Sequence, residues 1–370
     1  VGDPTVFARD HWGVTPMLRR GAGSFRDLLG VNVVEQLVAA PARRPMIRLV
    51  RGGSPVPFGE YGASLRLGGV LVDDVVDVSR VMQSVAGGAT VVLQSLQHSW
   101  PPIGRFCEAL QREMGHAVQA NCYLTPPGST ALARHRDTHE VLVVQIEGSK
   151  VWEVDGLGAF ALEPGDVAYI PRGTAHEAAA QSGLSLHLTI GLLASTYRTV
   201  LHRVVDDLPA ELDRPMPLSV ASRPGQAAGE ARLAAALATL AAVDAADAVG
   251  RQIRSNRTRR RVVPMGHLRA VLQDRDIDEC TWIRLDPRLD TKVEGDRLVL
   301  SVGARRLAVP LGVAPVVESL IGAGPVAVGA LTGLDPESRI VLARRLVRET
   351  FAYVVERPSE SPDSVLRSSG

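Results

Sequence analysis

The chain has 370 residues, a net charge of +1, and 45% hydrophobic against 22% charged residues. It is therefore too apolar for a disordered chain and too balanced in charge for a nucleic-acid surface along its whole length, and it is long enough for two or three domains. Three cysteines (Cys107, Cys122, Cys280) with no CxxC pair exclude a disulfide scaffold and a Cys-based zinc module. No apolar run reaches the ~18 residues needed to span a bilayer. The first residues lack a charged segment followed by an apolar one, so no signal peptide is read and a cytoplasmic protein without a membrane partner is expected.

Residues 1 to about 118 read as a mixed α/β entry. Strands are expected at Met46 to Val50 and Thr90 to Leu93. A helix is expected over Ile103 to Met114, with Phe106, Leu110 and Met114 four apart on one face. From residue 119 to 192 short β-rich runs alternate with tight turns. The runs are Ala120 to Leu124, Glu140 to Ile146, Lys150 to Val154, Ala159 to Leu162, Asp166 to Ile170 and Leu184 to Ile190. Glu147-Gly148, Pro164-Gly165 and Pro171-Arg172-Gly173 supply turns between them, so an antiparallel barrel or sandwich is expected.

Residues 193 to about 260 read as helical, with one helix over Thr196 to Asp206 and another, alanine-rich, over Gly229 to Gly250. Pro209, Pro215 and Pro217 separate the two. The alanines permit close packing, either on a partner chain or within the same chain. Residues 262 to 356 read as a third unit. Strands are expected at Thr281 to Leu285, Arg297 to Val302 and Arg305 to Val309, the last two joined around Gly303-Ala304. Helices are expected over Val313 to Ile321 and Pro336 to Val355. Helix, hairpin and helix in this order suggest a winged-helix-like module, and residues 357–370 read as a disordered tail.

The chemistry concentrates in His135-Arg136-Asp137 and in His176, 39 residues after Asp137. On an extended strand, residues i and i+2 point to the same side, so His135 and Asp137 can both face a barrel interior. The turn Pro171-Arg172-Gly173 can return the chain to the same mouth before His176. Two imidazoles and one carboxylate are the set that binds non-haem Fe(II) and leaves positions open. Alone, an HxD triplet also fits a surface hairpin. The run from Glu163 to His176, a strand between two tight turns ending in histidine, adds weight to the metal reading.

These residues resemble the cupin superfamily and, more narrowly, the JmjC-type ribosomal oxygenases, which are Fe(II)- and 2-oxoglutarate-dependent protein hydroxylases. The resemblance is carried by Asn121 to Gly128, His135 to His139, Gln145 to Trp152, Pro164 to His176 and Ser185 to Ile190. It implies an α+β chain with a cupin, double-stranded β-helix (jelly-roll) oxygenase core at residues 1–195. A helical dimerisation segment at 196–261 and a winged-helix-like domain at 262–356 would follow. It further implies His135, Asp137 and His176 as iron ligands, and Lys150 as the cation that holds 2-oxoglutarate. Asn121 and Tyr123 would line the co-substrate pocket, and His187 would stand beside the metal. O₂ is the second co-substrate. The implied partners are a protein or peptide substrate and a second copy of the chain, with nucleic acid met only through the ribosome.

Lys150 has a plainer alternative as a solvated hairpin end beside Gly148. Yet only two of the 41 basic residues are lysines, Lys150 and Lys292, so a lysine kept here against an arginine bias draws attention. His139 lies further along the strand, and Glu140 is expected to point away from Asp137. The chain departs from the family pattern in the short Trp152 to Leu162 connection and in Arg136 at the centre of the HxD. Arg134, Arg136 and Arg172 near the mouth suggest an acidic target or a solvated rim. The basic run from Arg251 to Arg261 reads as a solvated helix end, with contact to ribosomal RNA or an acidic peptide as the alternative. Two rival functions stay open: a cupin dioxygenase or isomerase acting on a small molecule without 2-oxoglutarate, and a non-catalytic cupin scaffold.

Overall fold

The structure, a computed structural model, describes residues 2–40, 42–180, 183–208, 210–213, 215–216, 223–257, 267–302 and 305–357. Pro209, Pro217, Arg259 to Arg261, the Gly303-Ala304 turn and residues 358–370 lie outside the described residues. The chain divides into two compact units, Val1–Asn256 and Arg257–Gly370.

In the first unit the strands are β1 (Met17–Arg19), β2 (Ile47–Arg51), β3 (Ser54–Pro55), β4 (Gly62–Leu67), β5 (Val70–Val76), β6 (Thr90–Leu93) and β7 (Ala117–Thr125). They continue as β8 (Thr130–Arg136), β9 (Glu140–Glu147), β10 (Lys150–Val154), β11 (Gly158–Leu162), β12 (Val167–Ile170), β13 (Ala175–Ala180) and β14 (Ser185–Leu193). A large sheet runs β1-β12-β9-β14-β7-β6-β2-β3 and a small one β11-β10-β13-β8, while β4 and β5 form a separate hairpin.

Period-two alternation gives the large sheet two different faces. Ala120, Cys122 and Leu124 of β7, Leu142, Val144 and Ile146 of β9, and Leu186, Leu188, Ile190 and Leu192 of β14 are buried in one apolar cluster. The helix Pro101–Met114 packs on that cluster through Ile103 and Cys107, with Phe106, Leu110 and Met114 beside them. The intervening residues face the small sheet. There Val141, Val143, Ala168 and Ile170 meet Trp152, Val154 and Leu162 in a second cluster. The antiparallel two-layer arrangement agrees with the expectation, and the rows of alternate residues fix which side chains enter the space between the layers.

The turn into β10 depends on one glycine. Gly148 has φ +61°, and a Cβ there would run into the Leu184 carbonyl. The buried Gln145 amide braces the same turn by donating to the Glu147 and Gly148 carbonyls, each at 3.0 Å. Gly148→Ala is expected to cost at least about 2 kcal/mol. A thermal melt would show it as a drop of several degrees, and an unchanged midpoint would contradict this account of the turn.

Several elements differ from the sequence reading. β8 and β13 are strands that it did not include; β8 carries His135. The expected helix over Gly229 to Gly250 is two helices, Arg223–Ala241 and Ala245–Arg257. Asp244 caps the second, its carboxylate accepting from the Ala246 N–H at 2.9 Å, so the chain turns there. The second helix packs within the first unit: the Asn256 amide donates to the Gly115 carbonyl and the Ser195 hydroxyl, both at 3.0 Å. Among the described residues, no single helix is long and apolar enough to cross a membrane.

In the second unit, strands Asp290–Glu294, Arg297–Val302 and Arg305–Pro310 form a meander. The first of these was not expected. The helix starting at Pro336 ends at Arg348, and Ala352–Val355 is a strand. Thr350, at φ +61°, reverses the chain, and the β-branched and aromatic Tyr353-Val354-Val355 then pair with Trp282–Leu285. The Asp286 carboxylate is buried and accepts from the Tyr353 hydroxyl at 2.7 Å and Arg288 Nε at 2.7 Å, which ties this edge together.

Candidate active site

The register of the small sheet brings the first two residues together. β8 and β13 run antiparallel with His135 directly opposite His176. Both imidazoles therefore rise from one face, their centroids 4.4 Å apart. Asp137 lies just beyond the end of β8 and returns to the same side. Its backbone is held from the other chain segment, because the Gly173 N–H donates to the Asp137 carbonyl at 2.8 Å. Gly173 does so at φ +78°, which is why glycine suits the turn that precedes His176.

Asp137 Oδ1 lies 4.0 Å from His135 Nε2, and Asp137 Oδ2 lies 3.5 Å from His176 Nε2. One donor atom from each of the three residues falls within 4.8 Å of the others. The far ring nitrogens are both engaged: His135 Nδ1 bonds the Ala133 carbonyl at 2.8 Å and His176 Nδ1 bonds the Thr174 carbonyl at 3.0 Å. A carbonyl only accepts, so each Nδ1 carries a hydrogen, and each Nε2 is the ring atom turned toward Asp137. Burial is the largest influence on His176 and holds its imidazole below the ordinary range, so the ring is neutral near pH 7. With small side-chain rotations the three groups reach a common ion at bonds of about 2.1 Å. Two imidazoles and one carboxylate fit Fe(II) and leave coordination positions open.

A cavity of about 320 Å³ opens beside this cluster, lined from both sheets. Lys150 lies in it with no exposed surface, which excludes the solvated hairpin end. Its ammonium donates to Thr125 Oγ1 at 3.0 Å, and the Thr90 hydroxyl donates to that same oxygen at 3.2 Å. Among the described residues no carboxylate pairs with it. Burial pulls the Lys150 ammonium down to about 7. His187 is pushed well below the usual imidazole range by burial and then by the Lys150 charge, so it is neutral. It stacks on Tyr123, with centroids 4.9 Å apart and planes 2° from parallel, and meets Trp152 edge-on at 5.5 Å.

Burial raises the Tyr123 phenol, which stays protonated and able to donate. Asn121 also lines the cavity, its Oδ1 accepting from the Ser95 N–H at 2.9 Å. The Trp152 indole N–H and His187 Nδ1 are buried without a hydrogen-bond partner. A buried cation and an unpartnered indole N–H call for an anionic acceptor. A dicarboxylate that chelates the metal at one end and meets Lys150 at the other fits this cavity, and 2-oxoglutarate has that chemistry.

All seven residues singled out from the sequence line this cavity: Asn121, Tyr123, His135, Asp137, Lys150, His176 and His187. His139 lines it too, outside the three-donor cluster. Glu140 points away, as expected; it is buried and accepts from the Tyr169 hydroxyl at 2.8 Å and the Arg172 N–H at 3.1 Å. The rim arginines are occupied. Arg134 pairs with Glu153 at 3.2 Å and with Asp155, Arg172 pairs with Glu140 at 3.2 Å, and Arg136 donates to the Gly173 carbonyl. The sequence reading missed Arg48, a cavity residue that arrives on β2.

A family model described as a JmjC domain matches residues 93–161 and 156–200. Ribosomal oxygenase 2 of Mus musculus is 37% identical over 132 residues, which are 30% of this chain and 28% of that protein. A bifunctional lysine-specific demethylase and histidyl-hydroxylase, NO66, of Branchiostoma floridae is 42% identical over 106 residues, 28% of this chain and 18% of that protein. The chain thus matches less than a third of the length of these curated relatives. YcfD, a ribosomal oxygenase from Escherichia coli, has the same fold: its structure with cobalt and 2-oxoglutarate aligns with a TM-score of 0.55 at 17% identity, covering 95% of this chain and 98% of that one. Residues 93–200 thus match a JmjC domain, and this part of the chain is similar in sequence to ribosomal oxygenases.

Proposed function

We propose that the chain is an Fe(II)- and 2-oxoglutarate-dependent oxygenase that hydroxylates a side chain of a protein, with a ribosomal protein as the foremost candidate and a precursor peptide as the other. The observation that carries this reading is the pairing, in one cavity, of a His-Asp-His donor set with a fully buried lysine that has no carboxylate partner among the described residues. His135 Nε2, the Asp137 carboxylate and His176 Nε2 would hold the metal. Lys150 would hold the distal carboxylate of 2-oxoglutarate, assisted by Tyr123 and Asn121. When bound, Fe(II) supplies the coupled oxidation in which a substrate C–H, O₂ and 2-oxoglutarate become C–OH, succinate and CO₂.

The protein's own part is positional. The Ala133 and Thr174 carbonyls orient the two imidazoles. The aromatic cluster of Tyr123, His187 and Trp152 excludes water around Lys150 and so strengthens its attraction for an anion. No general base is called for.

The helical segment is proposed to mediate a homodimer. Helix Tyr197–Asp206 leaves Tyr197, Leu201 and Val205, spaced four apart, 90%, 62% and 51% exposed. An apolar stripe of this kind favours coverage. Leu201→Asp is expected to shift the chain to monomer in size-exclusion chromatography with light scattering; a dimer surviving that change would remove this helix from the interface. The meander and helices of the second unit support a winged-helix-like module, and a ribosomal substrate implies the cytoplasm.

The test of activity is incubation of the full chain with Fe(II), 2-oxoglutarate and ribosomal proteins or a peptide pool, followed by mass spectrometry. The expected result is metal-dependent gain of one oxygen atom and formation of succinate. Absence of both would defeat the proposal.

A further inference from the structure

Both imidazoles of the donor cluster bond the carbonyl two residues back along the chain, Ala133 for His135 and Thr174 for His176. On a regular strand the carbonyls lie in the plane of the sheet and the side chains stand across it, so such a contact needs an interruption. Thr174 has one in the turn that precedes β13. Ala133 has one in a β-bulge. His176 stands opposite His135, but Ala178 stands opposite Leu132, so Glu177 alone faces both Ala133 and Arg134. A bulge bends its strand and re-aims the side chain beside it, and here that side chain is His135.

β8 is the edge of the small sheet, and among the described residues no strand pairs with its far side. The bulge is held by two other contacts. Gly53 approaches so closely that a Cβ there would stand 3.3 Å from the Ala133 nitrogen, and its φ of +80° suits glycine. Arg134 supplies the second contact. Glu153 and Glu177 follow or precede the inward-facing Val154 and His176 by one residue, so they lie on the outer face of the sheet. Arg134 meets them there: it stands 3.8 Å from Glu177 of β13 and 3.2 Å from Glu153 of β10, and it pairs with Asp155 just past β10. On the inner face the same three strands carry the row His135, His176, Val154. The guanidinium therefore ties together, from behind, the strands that present two of the ligands.

All four of these charged side chains are more than a third exposed. Ion pairs at that exposure add little to global stability, whereas fixing the contact behind a metal-binding imidazole governs how well the ring is aimed. Resting on the metal reading of the cluster, we propose that Arg134 is a positioning residue: it holds the bulge that turns the Ala133 carbonyl onto His135 and so aims His135 Nε2 at the metal. The sign of the effect separates this role from plain electrostatics. A bystander cation repels a divalent ion, and this one also masks three carboxylates, so its removal would tighten metal binding. A positioning role requires the opposite.

The test is Mn(II) binding to the full chain by calorimetry under argon, with the melting midpoint of the metal-free chain measured alongside. Arg134→Met keeps an apolar stem and removes the charge. It is expected to bind Mn(II) about tenfold more weakly, with a midpoint within about 3 °C of wild type. Arg134→Lys restores the charge without the planar fork and is expected to recover part of the loss. When Glu153→Gln and Asp155→Asn are already present, Arg134→Met is expected to cost no more than about twofold further, because Arg134 acts through those partners. Unchanged or tighter Mn(II) binding in Arg134→Met would overturn the proposal, as would a full tenfold further loss when the partners are already neutral. A midpoint far below that of wild type would make the role structural and defeat the positioning claim. Wild type that fails to bind Mn(II) counts against the metal reading itself, whereas equal binding by wild type and Arg134→Met counts against Arg134 alone.

Discussion

Lys150→Met is expected to weaken 2-oxoglutarate binding by about 100-fold or more and, at the same time, to stabilise the metal-free protein at neutral pH. The two effects have opposite signs because Lys150 is a buried cation awaiting a partner. Without the co-substrate its ammonium has Thr125 Oγ1 as its hydrogen-bond acceptor. Burial lowers it from 10.5 to about 7. The unfolded chain therefore holds a proton between these two pH values that the folded chain has given up. Stability from this group rises as pH goes from about 7 toward 10.5, and the destabilisation is fully present below about 7. Its ceiling is on the order of 5 kcal/mol.

Methionine keeps an unbranched stem of similar reach and removes the charge. Urea melts of the metal-free protein at pH 7 and pH 9.5 should show wild type gaining relative to Lys150→Met as pH rises. Calorimetry should show 2-oxoglutarate affinity lost in the variant. A variant that binds 2-oxoglutarate normally would favour the small-molecule cupin reading. One that is less stable than wild type at pH 7 would mean that Lys150 has a structural partner.

Asp137→Ala is expected to reduce metal affinity by about three orders of magnitude and to bring succinate formation to background. Asp137 is the one anionic donor in the cluster, and it stands within 4.0 Å of both imidazole Nε2 atoms. Two imidazoles alone form a weak site for a divalent ion of this hardness. A bound metal stabilises the folded chain in proportion to its saturation. Wild type should therefore melt at higher temperature when Fe(II) or Mn(II) is added under argon, and Asp137→Ala should not respond. His139→Ala provides the contrast. His139 lines the same cavity but stands outside the donor cluster, so metal affinity should stay within about threefold of wild type. Equal losses in the two variants would show that the ligand set has been assigned incorrectly.

The metal cluster was legible in the sequence because its geometry is mostly local. The i, i+2 relation of His135 and Asp137 and the Pro-Gly turn before His176 need no knowledge of distant strands. Lys150 was harder. Its neighbours Gly148 and Ser149 suggest solvent, whereas its side chain enters the cavity and its ammonium reaches Thr125 of the distant strand β7. The family resemblance, not local pattern, pointed to its role. Arg48 was not legible at all. It lies more than 70 residues before Asn121, and only the order β2-β6-β7 carries it to the cavity.

β8 and β13 escaped the pattern for another reason. Ala175–Ala180 reads AHEAAA, and Thr130–Arg136 reads TALARHR. Both are rich in helix formers and become strands through pairing with each other and with β10. The misjudged helices ended for local reasons that hydrophobic periodicity does not detect, a cap at Asp244 and a left-handed residue at Thr350.

The account stands on a single ion being held by two imidazoles and one carboxylate, and anomalous diffraction from crystals grown with Fe(II) under argon locates that ion most directly. The account predicts one peak per chain at the cavity, bonded to His135 Nε2, His176 Nε2 and an Asp137 oxygen, with its remaining positions facing Lys150 and Tyr123. A peak elsewhere, coordination through His139 or His187 in place of either imidazole, or no peak at saturating Fe(II) would contradict it.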